Sequence, residues 1–381
     1  MADHTHLPTA RDKLLFTPGP LTTSLSVKQA MIHDAGSWHF EFNAIVRRVR
    51  ESLLRLAELT AGEDFEAILM QGSGTFGIES VIGSVIAPQG RLLVLANGAY
   101  GERIAKIAAH LRIDHRVLRS EENTVLNPQQ VETLLHDDPA ITHVALVHCE
   151  TTTGILNPLE PIGKVVQRHH RCFIVDAMSS FGAIPIDMRM AGIDYLVSSA
   201  NKCIEGVPGF SFIIARRTAL EATSGYARSL SLDLLGQLQG FEANGQFRFT
   251  PPTHAILACA QALRELDEEG GVVARGRRYA ANHRVLVAGM RRLGFVPYLN
   301  PEIQSFIITA FHSPTDPAFQ FSEFYHRLSD RGMIIYPGKL TRVDTFRIGT
   351  IGRLFETDIA QLLHAIEDVL RDMKCPLLLD R

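Results

Sequence analysis

The residues best suited to chemistry begin with "QGSGTFGIES", residues 71–80, which sets Gly72, Gly74 and Gly77 in a G-x-G-x-x-G spacing with Ser73 and Thr75 between them. Small residues let the backbone come close to a phosphate, and the two hydroxyls add donors. The following "FGIESVIGSVIA" reads as a helix that stops at Pro88, so its first turn leaves free N–H groups for an anion. A dinucleotide site also needs an acid about 20 residues on, at the end of the next strand. That strand, "RLLVLANGAYG", ends in Asn97, Gly98, Ala99 and Tyr100, with no carboxylate. The loop therefore fits a different phosphate, or a tight strand-to-helix turn without a ligand. Two further residues narrow the choice. Asp176 follows the apolar run "CFIV", and Lys202 follows "SSAN" 26 residues later. Alone, a strand-end Asp is usually a turn cap and a Lys usually solvated. Together with a phosphate loop they match the needs of pyridoxal 5′-phosphate: a phosphate cup, an amine for a Schiff base, and a carboxylate that keeps the pyridinium nitrogen protonated. Burial raises a carboxylate's pKa, but a pyridinium partner outweighs that and keeps it charged. Tyr100 can stack its ring on such a cofactor or simply pack in the core.

These residues need elements that bring them to one edge. "EAILM" leads into the glycine loop, "RLLVLANG" precedes the helical "AYGERIAKIAAHL", "HVALVH" precedes "PIGKVVQRHH", and "CFIVDAMSS" and "DYLVSSANK" follow. In the first of these helices Ile104, Ile107, Ala108 and Leu111 share a face. Continuous apolar strands alternating with helices predict an α/β fold with a parallel sheet covered on both faces. "VPGFSFIIAR" follows "LVSSA" too closely for a parallel crossover and is expected to run antiparallel, which makes the sheet mixed. In open α/β sheets ligands bind beyond the C-terminal strand ends, where the glycine loop, Asn97–Tyr100, "HCETTTG", Asp176 and Lys202 all fall. The helical "AILACAQALRELDEEGG" ends at Gly270 and Gly271, after which short strands and the helices "FSEFYHRLSDRG" and "ETDIAQLLHAIEDVLRDM" suggest a smaller α+β domain.

The 381 residues suit two domains, and 46% hydrophobic with 21% charged residues suits a globular chain with a large core. A net charge of -3 gives no pointer to nucleic acid or an anionic membrane. No apolar run is long enough to span a bilayer, and the start "MADHTHLPTARDK" lacks the apolar stretch of a signal peptide. Five scattered cysteines fit a reducing cytoplasm. His4 and His6 read as part of a mobile tail rather than a metal site, and no metal is expected.

The chain resembles the class V, fold-type-I pyridoxal-phosphate aminotransferases from about Leu14 to about Met373. The resemblance is carried by "LLFTPGPLTTS", "MQGSGTFGIES", "ANGAYGERI", "HCETTTGILNP", "IVDAMSSFGAIP", "SSANKCIEGVPGFSF", "RSLSLDLL", "FTPPTHAILACAQAL", "IIYPGKL" and "FRIGTIG". It implies a mixed, mostly parallel seven-stranded sheet domain, with an N-terminal arm over residues 1–23, a large cofactor domain over 24–265 and a small C-terminal domain over 266–381. It implies that Lys202 binds the cofactor and moves the proton, that Asp176 faces the pyridine nitrogen, and that Ser73, Gly74 and Thr75 hold the phosphate with Asn201 nearby. Thr151 would bond near the ring hydroxyl and Tyr100 would stack. A homodimer with shared sites is implied, with Thr253 and Thr250 of "FTPPTH" reaching the neighbour's phosphate cup. Arg347 would bind the substrate anion, since its rigid fork suits carboxylate and phosphonate alike. The backbone at Gly19 would help, with Lys339 or Arg228 as added charge. The implied substrates are 2-aminoethylphosphonate and pyruvate. Three other readings stay open: an alanine–glyoxylate or serine–pyruvate transaminase, a lyase of the cysteine-desulfurase kind for which Cys203 is badly placed, and a nicotinamide oxidoreductase built on the glycine motif.

Overall fold

The structure is a computed structural model that describes residues 12–60, 62–338, 340 and 343–375. The chain opens with β1 (Leu14–Leu15), α1 (Leu25–Gln29) and the amphipathic α2 (Phe40–Leu56), whose Phe42, Val46, Val49 and Leu53 face the core. Alternation then sets in: β2 (Phe65–Gln71), α3 (Gly74–Val85), β3 (Arg91–Ala96), α4 (Ala99–His110), β4 (Asp114–Arg119), α5 (Pro128–Asp137) and β5 (Ile141–Val147). A small hairpin, β6 (Cys149–Glu150) and β7 (Ile155–Leu156), precedes α6 (Leu159–Arg168), β8 (Cys172–Asp176), β9 (Tyr195–Ser199) and β10 (Phe210–Arg216).

Seven strands form one sheet in the order β2-β10-β9-β8-β5-β3-β4. The central strands are largely apolar, and all but a few residues near their starts are buried, as a helix-covered parallel sheet requires. β10 runs antiparallel to both β2 and β9, and the other pairings are parallel, so the mixed sheet expected from the short connection is present. The expected helix face on α4 is also there: Ile104, Ile107 and Ala108 are buried and Leu111 packs beside them.

After β10 the chain forms α7 (Arg217–Glu221), α8 (Leu234–Asn244), α9 (Thr253–Glu269) and α10 (Gly271–Arg292). Gly270, at φ +103°, breaks α9 from α10. A second apolar core gathers Phe295, Phe311, Phe324 and Phe346, together with Phe16 from the N-terminal arm. Around it lie β11 (Ile308–His312), α11 (Phe321–Asp330), β12 (Met333–Ile334), β13 (Tyr336–Pro337), β14 (Thr345–Gly349) and α12 (Glu356–Asp372). β11, β14 and β13 make a three-stranded sheet, and β1 pairs in parallel with β12, which ties the arm to this C-terminal part. The domain division expected after residue 265 falls within the last turn of α9. His4, His6 and residues 1–11 of the arm lie outside the described residues.

Candidate active site

The C-terminal ends of β2, β3, β8 and β9 converge on a cavity of about 440 Å³. Gly72 leaves β2 at φ +102° and its N–H donates to the Gly209 carbonyl at 3.0 Å, which turns the chain into α3. Gly74 packs where a side chain would run into Met178 Sδ, and a Cβ at Gly77 would lie 2.6 Å from Ser211 Oγ on β10. The glycine spacing thus lets α3 lie close on the sheet. Ser73 caps α3 without a side-chain bond to it, so N–H groups of the first turn stay available to an anion. Ser73, Gly74 and Thr75 line the cavity, as do Tyr100, Thr151, Asp176, Asn201, Lys202 and Gly19.

Asp176 is buried and Lys202 half-buried in its wall. Lys202 Nζ donates to the Pro18 carbonyl at 2.7 Å and to that of Gly19 at 3.4 Å. Gly19, at φ +103°, lies so close that a Cβ would sit 2.7 Å from Lys202 Cδ. The turn at Gly19 therefore meets the lysine through its carbonyl oxygens. Burial lowers the Lys202 amine to about 8, Arg347 adding to the effect and Cys203 and Asp176 opposing it. Asp176 Oδ1 accepts the Met178 N–H at 2.9 Å. Burial raises its carboxyl to about 6, and Glu150 adds to this while the Met178 N–H, Lys202 and Arg103 oppose it.

Arg347, on β14, is buried behind Thr151. Its Nη1 donates to the Thr151 carbonyl at 2.8 Å and its Nε to the Pro337 carbonyl at 3.0 Å. The guanidinium lies 5.6 Å from the Tyr336 ring centre. It has no carboxylate partner among the described residues, so no salt bridge accounts for it. The Thr151 hydroxyl pairs with Ser179 Oγ at 2.7 Å.

The structure places other expected residues elsewhere. Thr250 and Thr253 lie at the start of α9, outside the cavity of their own chain, where Gln71 Nε2 donates to the Thr250 carbonyl at 3.1 Å. Arg228 is no part of the site: its Nη1 bonds the Gly83 and Ile86 carbonyls at the far end of α3. Lys339 lies outside the described residues. Cys203 is buried, its thiol pushed up to about 12, which fits an inert packing residue. No group of side chains suited to a metal ion occurs among the described residues.

Two residues not singled out from the sequence shape the cavity. Arg103 lies one turn after Tyr100, with its guanidinium 4.7 Å from that ring centre and Nη1 donating to Thr75 Oγ1 at 3.2 Å. It adds a cation to the cavity wall, and its spacing from Tyr100 on a helix was the available signal. Glu150 is fully buried and accepts from the Tyr100 N–H at 3.4 Å and the Gly101 N–H at 3.2 Å, which caps α4 from another element. Gly98, the N-cap of α4, has no side chain to do this, and a Cβ there would collide with Glu150.

A lysine, a carboxylate and a helix N-terminus around one cavity at the sheet's C-terminal edge define a group-transfer site of aminotransferase type. Residues 24–339 match the family model described as aminotransferase class-V, and the chain belongs to that family. A 2-aminoethylphosphonate--pyruvate transaminase of Salmonella paratyphi C is 52% identical over 360 residues, which cover 94% of this chain and 98% of that protein. Among solved structures, an alanine--glyoxylate aminotransferase of Nostoc sp. has a TM-score of 0.86 at 25% identity, covering 97% of this chain and 98% of the other. A pyridoxamine-pyruvate aminotransferase of Mesorhizobium loti has a TM-score of 0.87 at 23% identity, covering 98% and 96%.

Proposed function

We propose that this chain transfers the amino group of 2-aminoethylphosphonate to pyruvate, giving phosphonoacetaldehyde and L-alanine, a step in phosphonate breakdown. The observation that carries the reading is the 52% identity to a protein of that name over 94% of the chain, joined to a cavity that holds Lys202 and Asp176 together. The cofactor is pyridoxal 5′-phosphate. The cavity suits it: a carboxyl with only Oδ1 bonded among the described residues, an amine facing carbonyls, and an α3 N-terminus without a side-chain cap. When bound, the cofactor supplies a carbonyl to carry the amino group and a ring to take up electron density as a C–H bond breaks.

The remaining chemistry belongs to the chain. Ser73, Gly74 and Thr75 hold the phosphate at the α3 N-terminus, Asn201 lies beside it, and Thr250 and Thr253 of a second copy close the cup. Asp176 would face the ring nitrogen, Tyr100 would stack on the ring, and Thr151 would bond near its hydroxyl. Lys202 anchors the cofactor and moves the proton on and off the amino-bearing carbon. An amine lowered to about 8 is partly neutral near neutral pH, as a proton acceptor needs. Arg347 binds the anionic end of each substrate in turn, the phosphonate first and the pyruvate carboxylate second, with the backbone at Gly19 beside the reacting atoms. Exposed Trp38, Phe40 and Ile32 supply apolar surface suited to a homodimer. The five cysteines are free, as a reducing compartment such as the cytoplasm would keep them, and no helix among the described residues is long and apolar enough to cross a membrane. The test is a donor screen with pyruvate that follows alanine. Alanine formed from 2-aminoethylphosphonate supports the reading. Alanine or serine consumed as donors, with 2-aminoethylphosphonate inert, favours the neighbouring transaminases instead.

A further inference from the structure

Helix α10 presents Arg275, Arg278 and Tyr279 at i, i+3 and i+4 spacing, on one face. That face closes on Glu205, in the turn that carries Lys202. Tyr279 Oη donates to Glu205 Oε1 at 2.5 Å and Arg278 Nη2 donates to the same oxygen at 2.7 Å. Arg275 Nη1 lies 3.6 Å from it and donates to the Cys203 carbonyl at 2.7 Å. The Glu205 N–H in turn donates to the Lys202 carbonyl at 2.8 Å. Glu205 has φ +64°, a region non-glycine residues hold only when their surroundings enforce it.

The same face grips the chain just beyond Arg347. Arg278 Nη1 donates to the Gly352 and Leu354 carbonyls at 2.6 and 3.0 Å, and the Gly352 N–H donates to Tyr279 Oη at 3.2 Å. Glu269 bonds both arginines, so two acids face two bases in a buried cluster. Apolar packing would hold two segments together without the desolvation cost of four charges. What a bonded cluster adds is a fixed register, because each hydrogen bond constrains direction as well as distance.

An amine donor must reach the Lys202 amine at one end and the Arg347 guanidinium at the other. Resting on the reading above, we propose that Glu205 is a positioning residue that sets the separation of Lys202 from Arg347, and with it the length of amine donor the site accepts. Two variants test this. Glu205→Gln removes the charge. Tyr279→Phe removes one of the two side-chain links between Glu205 and Gly352, the other running through Arg278, leaves both acids and both arginines, and tests the tie if the first variant fails to fold. In the cofactor-free protein, amide hydrogen exchange of Tyr279→Phe should rise together over residues 202–206 and 349–354. In the loaded enzyme, kcat/KM is compared for 2-aminoethylphosphonate and 3-aminopropylphosphonate, which is one methylene longer. The parent should favour the shorter donor by about 10-fold or more, a typical discrimination for one methylene. The variants should lose most of that preference, chiefly through KM. An unchanged preference in a folded variant overturns the proposal, as does exchange that rises in only one segment. A parent inactive with 2-aminoethylphosphonate sinks the functional reading instead, and the exchange measurement still tests the tie.

Discussion

Replacing Asp176 with asparagine should stabilise the cofactor-free protein while crippling the enzyme, because burial and catalysis act on this residue with opposite signs. The change keeps the side chain's shape and the acceptor for the Met178 N–H. Burial raises the carboxyl from 3.8 to about 6. The unfolded chain thus releases its proton near pH 3.8 and the folded chain only near pH 6. The penalty is absent below the lower value, grows between the two, and is complete above the upper. A shift of about two units corresponds to about 3 kcal/mol at roughly 1.4 kcal/mol per unit. Integrated, the asparagine variant should gain about half of that at pH 5 and nearly all of it at pH 8. Urea unfolding of both cofactor-free proteins at the two pH values measures this. A variant no more stable than the parent at pH 8, or a gain that grows towards acid, refutes the reasoning. Adding pyridoxal 5′-phosphate should reverse the order, since an amide cannot hold a proton on the ring nitrogen. Cofactor binding should weaken modestly and single-turnover rates should fall much more. Rates equal to the parent's would leave Asp176 as a mere cap on the Met178 turn.

Lys202→Ala should fold yet lose transamination by several orders of magnitude; borohydride reduction and peptide mapping of the parent should tag Lys202, and a tag on Lys106, Lys164 or Lys339 would overturn the assignment. Arg347→Ala should weaken 2-aminoethylphosphonate and pyruvate alike, by about 10- to 150-fold each for a lost charge-assisted contact, with the larger loss for the doubly charged phosphonate. Impairment with only one substrate, measured as separate half-reactions, would show two anion sites. Gly72→Ala should cost about 1–3 kcal/mol in thermal unfolding, from its φ of +102° and from a Cβ set 2.6 Å from the Phe76 ring; a neutral result would mean the glycine turn is free to rearrange.

The parts of the site that could be read in the sequence are those where one residue type at the end of one strand carries the information. Lys202 and Asp176 each follow a buried strand, and the glycine spacing marks the turn into α3. The direction of β10 was equally legible, because a chain length alone forbids the alternative. Arg228 shows the limit: a cation near a motif in sequence proved to cap the distant end of α3. Helix α10 went unread for a related reason. Its arginines look like a solvated face, yet Arg275 is wholly buried because Glu205 and Glu269 meet it from elsewhere.

Glu150 makes the same point about chemistry. Its sequence neighbours mark it as a turn residue, and nothing in "HCETTTG" tells that its carboxylate completes the start of α4, a helix about 50 residues earlier. The empty cap at Gly98 and the acid at Glu150 are two halves of one device, and only the parallel sheet that sets β5 beside β3 joins them. The start of α4, and with it Tyr100, is thus fixed in the cavity wall by a residue from a different strand.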